Sequence, residues 1–294
     1  MAALRIATRG SRLALWQAER VATLLGGDAE LVVVSTTGDQ RTDVPIWTIG
    51  GTGVFVKEVQ QAVLDGRADL AVHSAKDLPS ETADGLALAA VPERADPRDA
   101  LVGAPLDGIP AGGTVGTGSV RRQAQLAALR PDLRFVSIRG NIETRIGKAG
   151  GDVDAVVVAL AALERLGLAG RAAEVLDPAV MLPQVAQGAL AVECRAGDRE
   201  STGRLAAIDD PAARRAVEAE RAFLRRLGGG CDLPCGALAE AGPDGTVALE
   251  VLLATLDGKT VLRARHRGTD PELVGGGAAL ILLDEQGGRD LLNT

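Results

Sequence analysis

Short apolar segments alternate with amphipathic stretches through the first two thirds of the chain, and this alternation restricts the fold more than any other feature. Leu4-Arg5-Ile6-Ala7 reads as a strand, residues 11–25 as a helix and Leu31-Val32-Val33-Val34 as a second strand. Residues 56–64 are helical in pattern, followed by strands at Asp69-Leu70-Ala71-Val72-His73 and at 86–91. A mostly parallel sheet covered by helices is the expected result. The stretch 92–99 is rich in Pro and charge and suits a crossing between domains. The rhythm then restarts: strand 114–117, helix from Ser119, strand 135–138, helix near Asn141, strand 153–158, helix 160–166. Strand 188–194 is able to return to the first sheet, which would make that domain discontinuous.

Residues 211–227 form a helix opened by Pro211 and ended by Gly228-Gly229-Gly230. Segments 247–255 and 260–267 alternate across an Asp257-Gly258 turn and read as a hairpin, with a helix at 271–283. The expected fold class is therefore α/β, with two α/β lobes and a small α+β C-terminal domain. Expected boundaries are 1–92 with 189–208, then 97–184, then 211–294.

A chain of 294 residues suits two or three domains. Aromatics make up only 2% and Tyr is absent, so the cores must be built from Ala, Val, Leu and Ile. A net charge of −7 argues against a general nucleic-acid binder. Three cysteines and no secretory leader suggest a cytoplasmic setting. No apolar run approaches the ~20 residues of a membrane helix, so no membrane is expected as a partner.

Four lysines leave 28 arginines among the 32 basic residues, and the arginines gather where strands give way to helices. Thr8-Arg9-Gly10-Ser11 is one such junction, Thr117-Gly118-Ser119-Val120-Arg121-Arg122 another, and Arg139-Gly140-Asn141 with Arg145 a third. Ligands of open α/β sheets bind at the carboxyl ends of strands, where helix N-termini present free N–H groups. Arginine adds two-point bonds to carboxylates or phosphates. Each junction alone is also explained by an ordinary helix cap with a solvated arginine nearby; together they describe a site for a multiply anionic ligand. Gly51-Thr52-Gly53 lacks a third glycine and a clear preceding strand, and no phosphate-loop signature occurs, which favours carboxylates over nucleotides.

Two further clusters carry chemistry. Val72-His73-Ser74-Ala75-Lys76-Asp77-Leu78-Pro79 places a carboxylate beside a cation at a strand end, able to stabilise developing positive charge or move a proton. A plain turn aspartate is the alternative, and His73 on an apolar strand reads as a packed residue. Gly228-Gly229-Gly230-Cys231 presents a thiol on an irregular loop. Cys231 and Cys235 have no second pair for a metal, and neither histidine is placed to serve as a base. Cys231 reads as a covalent attachment point and Cys194 as a small core residue.

These pieces resemble the porphobilinogen deaminase family over nearly the whole chain. The resemblance rests on Ile6-Ala7-Thr8-Arg9-Gly10-Ser11, Gly53-Val54-Phe55-Val56-Lys57-Glu58, Ala71 to Pro79 as quoted, and Asp96-Pro97-Arg98-Asp99-Ala100. It also rests on Val115-Gly116-Thr117-Gly118-Ser119-Val120-Arg121-Arg122-Gln123, Arg139-Gly140-Asn141, Gln187-Gly188-Ala189, Glu193-Cys194-Arg195 and Gly229-Gly230-Cys231. It implies lobes similar to those of periplasmic binding proteins. It also implies a dipyrromethane cofactor on a thioether to Cys231, and the head-to-tail joining of four porphobilinogen molecules into linear hydroxymethylbilane, for tetrapyrrole and heme synthesis. By the same resemblance Asp77 is catalytic. Ser74, Lys76, Asp77, Thr117, Ser119, Arg121 and Arg122 hold the cofactor. Arg9, Ser11, Arg139, Arg145 and Arg165 grip substrate, and Phe55 and Lys57 belong to an active-site loop. No metal is expected. A monomer is expected, passing its product to the next enzyme of the pathway.

The chain departs from the family pattern at four places: Thr52 where lysine is frequent, Gly118 for a common serine, Gly10 for a frequent glutamine, and Cys235 as a second thiol able to compete for the cofactor. The rival reading is a non-catalytic, periplasmic-binding-type polycarboxylate carrier; a regulator's ligand-binding domain would need a helix-turn-helix that does not precede the first lobe. Neither rival requires a modified Cys231.

Overall fold

A computed structural model describes residues 3–27, 29–36, 53, 55–229 and 233–292. The chain divides into two compact units, one of residues 1–95 with 188–214 and the other of 96–187 with 215–294.

The chain opens with strand β1 (Leu4–Arg9), helix α1 (Arg12–Leu24), β2 (Ala29–Val34), α2 (Lys57–Leu64), β3 (Leu70–Ser74) and β4 (Leu86–Ala90). Ser11 caps α1 by accepting the Ala14 N–H at 3.3 Å. Gly26 and Gly27 end it at positive φ, with the Gly27 N–H returning to the Ala22 carbonyl. Ala14, Gln17, Ala18 and Val21 recur at helical spacing and are buried together.

In the second unit the chain forms β5 (Asp99–Val102), β6 (Thr114–Gly116), α3 (Val120–Leu129), β7 (Arg134–Val136) and α4 (Ile142–Ile146), then β8 (Ala155–Ala159), α5 (Leu160–Arg165) and β9 (Ala172–Val175). It returns with β10 (Leu190–Arg195) and α6 (Arg199–Leu205), runs through α7 (Pro211–Leu227), and ends in β11 (Cys235–Ala241), β12 (Val247–Ala254), β13 (Val261–Gly268) and α8 (Pro271–Leu280).

Two five-stranded sheets result, in orders β2-β1-β3-β10-β4 and β7-β6-β8-β5-β9. In each, the fourth strand is antiparallel to both neighbours, and it is the strand laid down just after the chain changes unit. The other strands run parallel to one another. The third sheet, β11-β12-β13, is an antiparallel meander. The fold class is thus the expected one, and β10 joins the first sheet.

Four elements escape the sequence pattern: β5, β9, β11 and α6. Strand β11 is mostly Cys, Gly and Ala, which carry little strand propensity. Strand β5 begins with a charged residue, Asp99, that is fully buried. Two arginines of α3 make that burial tolerable. Arg122 donates to Asp99 Oδ1 from Nε at 3.1 Å and Nη2 at 2.7 Å, and Arg121 Nη2 lies 2.8 Å from Oδ2. Gln187 Nε2 adds a bond at 2.9 Å. These cations hold the Asp99 carboxyl well below the usual aspartate range, against the opposing effect of its burial. The helix expected to reach residue 283 stops at Leu280 and continues as a π turn, Ile281–Glu285.

Within the second unit the Asp257-Gly258 turn packs on α3. A Cβ at Gly258, whose φ is +71°, would lie 2.3 Å from the Ala128 nitrogen and 2.7 Å from the Ala124 carbonyl oxygen. Ala186 is the one non-glycine at positive φ (58°) among the described residues, and its N–H is held by the buried Glu220 carboxylate at 2.6 Å.

Three substitutions test these contacts. Gly258→Ala should cost roughly 2–5 kcal/mol in denaturant unfolding, combining a left-handed backbone with overpacking. Gly245→Ala, also at positive φ but with only Arg215 Nη2 within reach at 3.9 Å, should cost about 1–2 kcal/mol. Asp99→Asn leaves two buried guanidinium groups uncompensated and should cost about 3–5 kcal/mol at neutral pH. Because the folded-state pKa of Asp99 is depressed, its contribution is present above the unfolded value. Wild type should lose that advantage only as pH falls below about 4, towards the folded value. Acid titration of both proteins checks the sign.

Candidate active site

In the first unit β3 ends at Ser74 and passes into a 3-10 turn, Ala75–Asp77, before Pro79. Strand β10 holds that turn in place: Leu190 is in register with Ser74, and the Ala75 N–H donates to the Ala189 carbonyl at 3.0 Å. Ser74 Oγ accepts from the buried Gln17 of α1 at 2.8 Å. Lys76 and Asp77 are half-buried, and the Asp77 carboxylate has no hydrogen-bond or ion-pair partner among the described residues. A carboxylate so placed, at a strand's carboxyl end, is available to a ligand.

Arg9 closes β1 in the same unit, and its guanidinium stands 4.1 Å from the centroid of the Phe55 ring, a cation–π contact. Ser11 is committed to capping α1, and Lys57 is exposed at the start of α2. Beneath the turn lie His73, Glu193 and Gln60. His73 Nε2 is 3.2 Å from Glu193 Oε2, and Gln60 Nε2 donates to both oxygens of Glu193 at 3.2 and 2.9 Å. His73 is thus packed, as expected, but not among apolar groups alone.

The second unit carries the other two arginine junctions. Ser119 caps α3, accepting the Arg122 N–H at 3.4 Å, and the buried Thr117 accepts the Ser119 N–H at 3.1 Å. Neither Arg121 nor Arg122 is a solvated cation. Besides its bonds to Asp99, Arg122 donates to the Val157 carbonyl at 2.9 Å, and Arg121 Nη1 donates to Leu182 at 2.7 Å. The Arg121 Nε is buried without an acceptor among the described residues, so a donor remains for a bound anion. At the next junction Asn141 caps α4 and Arg145 Nε donates to the Gly140 carbonyl at 2.8 Å; Arg139 is half-buried beside it. Arg165 ends α5, and burial lowers its guanidinium to about 10, so it keeps its charge at neutral pH.

Cys231 and Thr52 lie outside the described residues. Gly118 is exposed, and a Cβ there would sit 3.1 Å from the Ile138 carbonyl oxygen, so a serine in its place would press on that backbone. Cys235 opens β11 opposite Leu253 and is buried. That burial weighs against a competing thiol, although Cys235 lies close enough to Arg121 to act on its charge. Cys194 is fully buried. Asp99, Gln187, Glu193 and Gln60 were missed as parts of the site's support. The only sequence signal for the first was its place after Asp96-Pro97-Arg98; Glu193 stood out as a charge inside an apolar strand, and the two glutamines gave none.

A family model described as "Porphobilinogen deaminase, dipyromethane cofactor binding domain" matches residues 4–203, and one described as "Porphobilinogen deaminase, C-terminal domain" matches residues 214–284. Curated relatives named porphobilinogen deaminase include that of Nitratidesulfovibrio vulgaris strain Miyazaki F, 46% identical over the whole of both chains. That of Roseiflexus sp. strain RS-1 is 49% identical over 98% of each chain. Among solved structures, a periplasmic His/Glu/Gln/Arg/opine family-binding protein from Silicibacter pomeroyi is similar at 17% identity and a TM-score of 0.37, over 70% of this chain and 88% of that one. Two matched domains in the expected order, and relatives similar from end to end, agree with the turn at Asp77 and the arginine junctions: the chain belongs to the porphobilinogen deaminase family.

Proposed function

We propose that this chain deaminates four porphobilinogen molecules in turn, joins them head to tail on a dipyrromethane primer held by a thioether to Cys231, and releases linear hydroxymethylbilane by hydrolysis. The observation that most supports this reading is the Asp77 carboxylate, half-buried on a turn fixed by β10 and left without a partner among the described residues. Loss of ammonia from the aminomethyl group of the substrate spreads positive charge onto the pyrrole nitrogen. Asp77 accepts a hydrogen bond from that N–H and stabilises the charge, and an Oδ of the same carboxylate relays a proton.

Each pyrrole brings an acetate and a propionate. Arg9, Arg139, Arg145 and Arg165 offer guanidinium groups that match carboxylates in charge and geometry, and Ser11 offers a hydroxyl. The Phe55 ring, set against Arg9, limits water around one such ion pair. Lys57 stands exposed at the start of α2, where it can reach an acidic ligand.

Dipyrromethane suits the donor set: Ser74, Lys76, Thr117, Ser119, Arg121 and Arg122 would hold its carboxylates, and the buried Arg121 Nε supplies a donor in need of an acceptor. When bound, the group supplies the reactive pyrrole end from which the chain grows. The two arginines come preoriented, because Asp99 fixes both before any ligand arrives. No described helix is long and apolar enough to cross a membrane. Three cysteines, an odd number, suit a reducing, cytoplasmic setting, and by the family reading the chain is a monomer that hands its product to the next enzyme of the pathway.

Intact mass of freshly purified protein should exceed the sequence mass by the dipyrromethane adduct, and Cys231→Ser should lack that increment. An active preparation with unmodified Cys231 would remove the anchor assignment. Asp77→Ala should lower kcat by about 100- to 10,000-fold while leaving the unfolding transition in place. Turnover near that of wild type would refute the role of Asp77.

A further inference from the structure

Glu193 is 1% exposed and His73 is 4% exposed, and both lie inside a core layer of the first unit. On the β3–β10 pair, His73 is in register with Ala191 and Ala71 with Glu193, so these four side chains share one face of the sheet. That face packs on α2, whose Val59 and Val63 form a cluster with Ala71. Gln60 of α2 closes the group from the helix side by donating to both oxygens of Glu193. Nothing in the proposed chemistry uses any of the three.

A carboxylate buried with polar neighbours adds little net stability over apolar residues of similar volume. The two bonds from Gln60 to Glu193 are directional and do what apolar packing does not: they fix how far a helix slides along a sheet. The elements fixed here are informative. Helix α2 begins at Lys57, two residues after the Phe55 that contacts Arg9. Strand β3 ends one residue beyond His73 and becomes the turn bearing Asp77. Strand β10 holds that turn by its backbone.

We infer that His73, Glu193 and Gln60 are positioning residues that lock α2 to the β3–β10 pair and so set the placement of Asp77 relative to Phe55 and Lys57. The inference rests on the activity proposed above. None of the three touches substrate; they act through the elements that carry the residues that do.

The test compares the double variant His73→Leu with Glu193→Leu, the conservative Glu193→Gln, and Gln60→Leu, all as full-length chains. The double variant should melt within about 5 °C of wild type and keep its covalent adduct. Its kcat for porphobilinogen consumption should fall about 10- to 100-fold, as a loss of alignment predicts, with KM changed less than about threefold. Glu193→Gln keeps an acceptor for Gln60 and should stay within about threefold of wild-type kcat. Should the double variant fail to fold, Gln60→Leu carries the test, with an expected fall of about tenfold. A stable double variant with wild-type kcat overturns the inference. So does Gln60→Leu with wild-type kcat, or Glu193→Gln losing as much as the double variant. A wild-type chain that consumes no porphobilinogen overturns the proposed function itself, whereas active wild type with unaffected variants overturns only the positioning role.

Discussion

Backbone hydrogen bonds from β10 hold the turn that carries Asp77, and the first unit's chemistry depends on them. Ser74 is in register with Leu190, and the Ala75 N–H is satisfied by the Ala189 carbonyl. Without this strand the end of β3 would be an edge, with unpaired groups and freedom to fray. Strand β10 is laid down only after the chain has built β5 to β9 in the second unit. The first sheet therefore cannot be completed by its own N-terminal segment, and the turn becomes rigid only when residues 188–195 have returned.

The second unit solves a related problem with charge. Its antiparallel fourth strand, β5, opens on a buried Asp99 that is neutralised by Arg121 and Arg122 from α3. The three groups share one low-dielectric environment, where each is tolerable only because the others are present. An arginine held this way loses little freedom when an anion arrives, which is the benefit of preorganisation for binding a polycarboxylate. Gln187, just before the chain leaves the unit, joins the same carboxylate and so ties the beginning of the unit's first segment to its end.

The two units thus present different chemistry on similar scaffolds. One offers a carboxylate on a short turn, with a buried polar group behind it and Arg9 and Lys76 in the same unit. The other offers cations and hydroxyls at helix N-termini. A substrate carrying two carboxylates on a ring that becomes positively charged calls for both kinds of group: cations to hold its periphery and an anion to meet its centre.

Much of this was legible in the sequence. Ser11, Ser119 and Asn141 each precede a helix and each caps it. The Pro211 helix, the hairpin about Asp257-Gly258 and the alternation of strands and helices were readable because period and punctuation are local properties. Strands β5, β9 and β11 were not, since a buried Asp99 and a run of small residues acquire their meaning only from partners distant in sequence.

By itself the sequence determined the α/β class, the capped junctions that gather arginine, the turn at Asp77 and the family. Only the tertiary structure decided that Arg121 and Arg122 are buried around Asp99, that Cys235 is enclosed in a strand, and that His73, Glu193 and Gln60 meet. The physical reason is that caps and periodicity depend on neighbours within a turn or two, whereas the burial of a charge is decided by whichever group arrives across the sheet to compensate it.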